Sequence, residues 1–211
     1  MSTQLLAEDS LIMRARNSKG DCAHLYDEWA TTYNTDLTET HSYVAPTVIA
    51  EAALKSGNFH ARARILDAGC GTGLVGEALV ARGGAALIDG IDFSPAMLEV
   101  AENTGAYRTL ETGDLTRPIA RPDESYDLVT CGGTFAPGHV GPDPALREFV
   151  RTARRNGIII ATVHQLVWLS GGYQAEIEKL EAEGLVKVVS AELEDYRRGH
   201  DKARLVILEK M

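Results

Sequence analysis

Cysteine is scarce in this sequence: Cys22, Cys70 and Cys131 are all that 211 residues contain. The number is odd, the spacing is wide and no Cys-x-x-Cys occurs. A disulfide framework and a zinc site are therefore not expected, and a reducing, cytoplasmic setting is. Basic residues are also short. Lys and Arg total 21 against 30 Asp and Glu, a formal charge of −9. A surface of that sign repels phosphate backbones, so nucleic acid is not expected as a partner. Internal repeats and low-complexity tracts are missing. So is the basic-then-apolar order of an export signal, since Glu8 and Asp9 interrupt the first apolar residues. Residues 156–175 carry no formal charge over a length that would span a bilayer. That stretch holds three glycines, two glutamines, Asn156 and His164, and its apolar part, Ile158 to Val163, has the length of a strand. It reads as a buried strand and its loop, with no membrane involved.

What is present is a globular composition, 45% apolar and 24% charged. It supports a large core and argues against disorder, collagen or a coiled coil. From about residue 63, short apolar runs alternate with helical periods, the pattern of βαβ units and a parallel sheet covered on both faces. Strands are expected at Arg64–Asp67, Ala86–Phe93, Tyr107–Thr112, Tyr126–Cys131 and Gly157–Val163. Two more are expected near Val186–Leu193 and Ala203–Glu209. Helices are expected at Leu74–Arg82, after the Ser94-Pro95 cap up to Gly105, from the Asp143-Pro144 cap to about Arg155, and over Tyr173–Glu183. Leu115 to Glu124, with Pro118 and Pro122, is a loop or broken helix. Residues 1–60 read as two or three helices capping one α/β domain that spans 61–211.

The most informative segment runs from Ile65 to Leu74: Ile-Leu-Asp-Ala-Gly-Cys-Gly-Thr-Gly-Leu. An acid ends a strand, three alternating glycines make a turn, and a helix follows. Glycine permits the tight turn and close approach to a ligand, and the helix start offers backbone N–H groups. In open α/β sheets, ligands bind at this edge. Gly71 to Gly76 also fits the dinucleotide pattern Gly-x-Gly-x-x-Gly, with Asp89 or Asp92 placed to hold a ribose. Asp67 points the other way. A carboxylate aimed into the turn repels a pyrophosphate and favours, directly or through water, a ligand bearing an ammonium group. S-adenosylmethionine has an ammonium and a sulfonium and no phosphate.

Asp67 to Gly73 resembles the first motif of class I S-adenosylmethionine-dependent methyltransferases. Gly90-Ile91-Asp92-Phe93-Ser94-Pro95-Ala96-Met97-Leu98 resembles the second, Gly113-Asp114-Leu115 the third and Tyr126-Asp127-Leu128-Val129 the fourth. The resemblance covers about residues 60 to 165. The whole chain, with Tyr26-Asp27-Glu28-Trp29-Ala30 and Tyr43-Val44-Ala45-Pro46, is similar to the methyltransferase-like family named for the Williams–Beuren syndrome region. Arg155-Asn156-Gly157 departs from the Pro-Gly-Gly turn of related enzymes. The resemblance implies a Rossmann-like, doubly wound, seven-stranded and mostly parallel α/β sheet with helices on both faces and an N-terminal helical cap.

By the same resemblance the cofactor is S-adenosyl-L-methionine, held at Asp67, Gly69, Cys70, Gly71 and Gly73. Asp92 takes both ribose hydroxyls; its alternative is a solvent-exposed loop acid. Asp89, of opposite strand parity, is structural. Phe93 and Met97 flank the adenine, or else belong to the core. Asp114 accepts from the adenine amino group beside the Leu115 N–H, or caps a turn. Cys131 and Gly132 line the methionine moiety with backbone, and neither Cys131 nor Cys70 is expected to be reactive. Tyr26, Trp29, Ala30 and Tyr33 share one helix face at i, i+3, i+4 and i+7. They are either plain packing or a lid that sets a tyrosine hydroxyl on the cofactor and Trp29 near the acceptor. His139 and His164 follow the fourth and fifth strands and are the candidates for a general base, or else loop histidines bonded to backbone. The expected reaction is in-line methyl transfer to a small molecule. No metal-ligand cluster is visible, so magnesium-dependent catechol-type chemistry is not favoured. The rivals are a nicotinamide-dependent oxidoreductase and a non-catalytic S-adenosylmethionine-binding protein.

Overall fold

The computed structural model describes residues 25, 28–30, 32–37, 42–83 and 86–211. In chain order its elements are α1 (Tyr33–Thr35), α2 (Ala45–Lys55), β1 (Arg64–Ala68), α3 (Leu74–Gly83), β2 (Leu87–Asp92), α4 (Pro95–Glu102) and β3 (Thr109–Thr112). They continue with β4 (Tyr126–Phe135), α5 (Ala145–Thr152), β5 (Ala153–His164), α6 (Tyr173–Ala182), β6 (Val186–Arg197) and β7 (Asp201–Lys210).

Strand parity builds the layers. In β1, every residue from Ile65 to Ala68 is buried, as a strand covered on both faces requires. Successive side chains face opposite ways. Ile65 joins Ile49, Ala50 and Ala53 of α2 and Val75 and Leu79 of α3 in one core layer. Leu66 joins Leu146 and Phe149 of α5 and Ile177 and Leu180 of α6 in the other. Leu128 and Val129 of β4 divide in the same manner. α2 thus belongs to the core that covers the sheet.

The seven strands lie in the order β3-β2-β1-β4-β5-β7-β6. All pairs are parallel except those of β7, which runs antiparallel to β5 and β6. The chain winds outward from β1 to β3, then crosses to β4 on the other side of β1. A crevice opens there, beyond the carboxyl ends of β1 and β4.

The doubly wound, mostly parallel sheet expected from the sequence is present, with local differences. β3 begins at Thr109, because the Tyr107 side chain turns inward to the glycine turn, its hydroxyl 2.7 Å from Asp67 Oδ2. β4 runs on to Phe135 through a register shift after Cys131, which Gly132 and Gly133 permit. Asp143 does not cap α5. Pro144 precedes the helix without a side-chain cap, and the Pro142 carbonyl accepts from Leu146 N–H at 2.8 Å. The segment Arg155-Asn156-Gly157 lies inside β5 as a bulge, with Asn156 at φ +58°. Asparagine tolerates that left-handed region, so the strand needs no Pro-Gly-Gly turn here.

Candidate active site

The glycine turn after β1 is held by its own backbone. The Ile91 carbonyl accepts from the Gly69 and Cys70 N–H groups at 2.8 and 3.0 Å. Gly73 N–H donates to the Cys70 carbonyl at 3.0 Å, and Gly71 N–H donates to Asp92 Oδ2 at 2.9 Å. Gly69 has φ +73°, and a methyl group added there would overlap Thr134 Oγ1. Glycine is the residue that lets β1 and the end of β4 meet this closely.

These contacts bear on which ligand fits. In a dinucleotide fold the glycine-loop N–H groups and the helix N-terminus face the pyrophosphate. Here the N–H groups of Gly69, Cys70, Gly71 and Gly73 are all engaged within the protein. At the helix, Gly76 N–H donates to the Tyr107 hydroxyl at 3.2 Å, and that hydroxyl donates to Asp67 Oδ2 at 2.7 Å. Tyr107 thereby packs behind the glycine turn, between α3 and β2, against Gly73, Gly76 and Gly90.

Beside the turn is a cavity of about 410 Å³. Tyr33, Gly69, Gly71, Asp92, Phe93, Met97, Asp114, Leu115 and His139 line it, nine of the residues expected at the site. Gly113, Gly132, Gly133, Thr134, Gly138 and Val140 line it too. Among the described residues the lining contains two carboxylates and no Lys or Arg.

Asp92, at the end of β2, is the best-placed acid. Its oxygens accept from Gly71 N–H at 2.9 Å and Ser94 N–H at 3.0 Å. Ser94 caps α4 as the sequence implies: its Oγ accepts from Met97 N–H at 3.2 Å. That cap carries Met97 into the cavity wall, where it is buried, while Phe93 is half-exposed at the mouth. Asp114 also lines the cavity, but its Oδ1 accepts from both Thr116 N–H at 2.9 Å and Thr116 hydroxyl at 2.7 Å. Those bonds hold its carboxyl below the usual carboxylate range. It is a turn cap that also faces the site.

Other expected site residues lie elsewhere. Asp67 is fully buried and does not line the cavity. It pairs in register with Thr130 on β4, so its Oδ1 accepts from the Thr130 hydroxyl at 2.9 Å while Oδ2 accepts from Tyr107. Burial pushes its carboxyl up to about 6; the two hydroxyls pull it down and Asp92 raises it. Its carboxylate organises the interior of the turn and does not aim into the site. Cys70 and Gly73 shape the turn with backbone but do not line the cavity, and burial pushes the Cys70 thiol up. Cys131 is likewise buried beneath the wall formed by Gly132 and Gly133, its thiol pushed up to about 12 by burial.

The two histidines separate cleanly. His164 is buried away from the cavity. Its Nδ1 accepts from Leu166 N–H at 3.2 Å, so Nε2 carries the proton and donates to Asp201 Oδ2 at 3.1 Å. Both nitrogens are engaged, so it is no general base. His139 lines the cavity. Its Nδ1 lies 2.8 Å from the Pro137 carbonyl and must donate to it, which makes Nε2 the basic nitrogen. Burial lowers its pKa, so the ring is neutral near pH 7.

Of the N-terminal residues, Tyr26 lies outside the described residues. Tyr33 reaches the cavity, and Thr72 in the glycine turn donates its hydroxyl to Asn34 Oδ1 at 2.5 Å. Trp29 does not line the cavity: it is buried with Leu25 and Leu37, its indole N–H donating to Asp36 Oδ2 at 2.7 Å. Asp89 is structural, as its parity implies. It accepts from Arg108 at 2.9 and 2.6 Å, Thr109 at 2.8 Å and Tyr126 at 3.1 Å. Sequence reasoning missed Tyr107, Gly133 and Thr134. The Gly132-Gly133 doublet at a strand end was a readable signal; Tyr107 had none.

Fold and site define a doubly wound α/β protein whose switch-point cleft is lined, among the described residues, by two carboxylates and no Lys or Arg. Residues 65–157 match a family of methyltransferase domains. The chain is 33% identical over 168 residues to human Methyltransferase-like protein 27, covering 77% of this chain and 66% of that protein. It is 40% identical over 93 residues to a ubiquinone biosynthesis O-methyltransferase of Saccharophagus degradans, 40% of this chain and 36% of the relative. The chain therefore spans about two-thirds or less of the curated relatives it matches. Among solved structures, magnesium protoporphyrin IX methyltransferase of Synechocystis, with bound S-adenosylhomocysteine, has a TM-score of 0.66 at 17% identity, covering 90% of this chain and 100% of that one. A TehB-like methyltransferase of Corynebacterium glutamicum has a TM-score of 0.63 at 21% identity, over 90% and 100% of the two chains. At those identities the structures share the fold. Residues 65–157 are therefore a methyltransferase domain, and the fold that carries them is that of the class I S-adenosylmethionine-dependent methyltransferases.

Proposed function

We propose that this protein transfers a methyl group from S-adenosylmethionine to a small-molecule acceptor by in-line displacement. The observation that carries the reading is the glycine turn, whose N–H groups at Gly69, Cys70, Gly71 and Gly73 are taken by the protein itself, facing a cavity with two carboxylates and no Lys or Arg among its described lining residues. Such a site suits a cationic nucleoside without phosphate. The residues present fit that group: Asp92 would hold the ribose diol, Phe93 and Met97 the adenine, and the backbone of Gly132 and Gly133 the amino-acid end. When bound, the cofactor supplies an electrophilic methyl on sulfonium. The protein contributes alignment and exclusion of water, which require no covalent step. The segment around Tyr33 and Asn34 acts as a cap, with Tyr33 closing the cavity and Asn34 tying the cap to Thr72. His139 Nε2 takes the proton when the acceptor is a hydroxyl.

The O-methyltransferases among the relatives support a small hydroxyl-bearing acceptor. The charge of −9 argues against nucleic acid, and no helix among the described residues is long and apolar enough to cross a membrane. Cys70 and Cys131 are free thiols, which supports a cytoplasmic setting. Calorimetric titration with S-adenosylhomocysteine and with NADH, followed by a labelled-methyl screen of small acceptors, tests the reading. Binding of S-adenosylhomocysteine and labelling of an acceptor are expected. NADH binding alone would sink it. Cofactor binding without transfer to any acceptor would favour a non-catalytic binding protein.

A further inference from the structure

Beyond the glycine turn, the cavity wall depends on residues from both ends of the chain. Gly133 lies in the β4 bulge at φ +85°, and a methyl group built on it would lie 2.7 Å from the Tyr43 hydroxyl oxygen and 3.4 Å from that of Tyr196. The two phenols converge on one Cα. Their rings pack edge to face with centroids 5.1 Å apart, and both hydroxyls face the same glycine. The Tyr196 hydroxyl donates to the Gly133 carbonyl at 3.5 Å, while Gly133 N–H donates to Thr162 Oγ1 at 3.1 Å. Both sides of the Gly133 residue are therefore gripped.

The pair is anchored from behind. Val44 N–H donates to the Tyr196 carbonyl at 3.1 Å and Arg198 N–H to the Ser42 carbonyl at 3.0 Å, stitching the start of α2 to the end of β6. The His164 ring stands edge-on to Tyr196 at 5.4 Å, and Asp201, accepting from His164 and Arg197, fixes that ring. This accounts for the His164 that the base assignment left without a role.

We propose that Tyr196, working with Tyr43, is a positioning residue that sets the Gly133 peptide where the amino-acid end of the methyl donor binds. The inference rests on the functional reading above. A phenol hydroxyl can do this without entering the cavity, because glycine lets it approach the backbone directly.

The test compares the full chain with Tyr196→Phe and Tyr43→Phe, which keep the rings and remove the hydroxyls. S-adenosylhomocysteine affinity is measured by calorimetry and folding by thermal melt. Loss of one hydrogen bond from the network should weaken binding about three- to tenfold while the melting midpoint stays near that of the wild type. The double variant should be little worse than either single one, since both hydroxyls brace the same peptide. Should Tyr196→Phe fail to fold, Tyr43→Phe carries the same readout. Unchanged affinity in folded variants would overturn the positioning role alone. A wild-type protein that binds no S-adenosylhomocysteine would overturn the functional reading and this inference with it.

Discussion

Replacing Asp92 by alanine tests the site most directly. The carboxylate accepts two backbone N–H groups, from Gly71 and Ser94, and lines the cavity. Bonds from a ribose diol to a charged carboxylate are worth about 1.5–3 kcal/mol, so the variant should bind S-adenosylhomocysteine roughly 10- to 150-fold more weakly. The fold should suffer less. The two N–H groups lose their acceptor, at about 1–3 kcal/mol each if left dry, but they border an open cavity where water can replace it. Asp92→Asn should resemble alanine, since an amide in that position presents a donor to one of two donors. Asp114→Ala is the contrast. Its Oδ1 already serves Thr116, so affinity should fall by less than about fivefold. Calorimetry gives the dissociation constants and a thermal melt confirms folding. A folded Asp92→Ala protein with wild-type affinity would refute the ribose assignment and the placement of the nucleoside with it.

Further outcomes follow from the surrounding framework. Asp67 has its folded pKa at about 6, above the ordinary 3.8, so the native state binds more protons between those values. Its contribution to stability is greatest at low pH and should fall by ~3 kcal/mol as pH rises from about 4 to 6. Urea unfolding of wild type against Asp67→Asn isolates this from Asp89, Asp114 and Asp201, which are held low and act in the opposite sense; parallel pH curves would rule it out. Tyr107→Phe removes a donor to Asp67 and should extend the decline above pH 6. Gly69→Ala, strained at φ +73° and overlapping Thr134, should lose about 1–3 kcal/mol, part of it recovered by adding Thr134→Ala; denaturant titration measures both. Asp89→Asn should lose about 1–3 kcal/mol by weakening the bonds to Arg108, Thr109 and Tyr126, with cofactor affinity unaffected. A fall in affinity would show that Asp89 reaches the site.

Much of the site was legible because its rules are local. The turn at Gly69 to Gly73 follows from glycine spacing, the α4 start from Ser94-Pro95, and the Asp92 position from the end of an apolar strand. The seven strands follow from runs of apolar residues that a doubly covered sheet must bury. The argument against a phosphate ligand was also sound in direction, but its agent was misplaced. It rested on Asp67 facing the ligand, whereas Asp67 faces Thr130 and Tyr107, and the features that bear on the ligand are the engaged N–H groups and the lining charge.

Periodicity says which residues are buried and which strands exist, because helix and strand geometry repeat over a few residues. It cannot say where a side chain near a strand end finds its partner. His139 and His164 look alike along the chain, each just beyond a strand. One meets the cavity and the other an aspartate 37 residues away. Tyr107, Tyr43 and Tyr196 gain their places through contacts between distant segments, set by strand order and register. The chain alone determined the sheet, the glycine turn and the acid that ends β2. Packing decided which titratable groups face the ligand and which merely hold the wall.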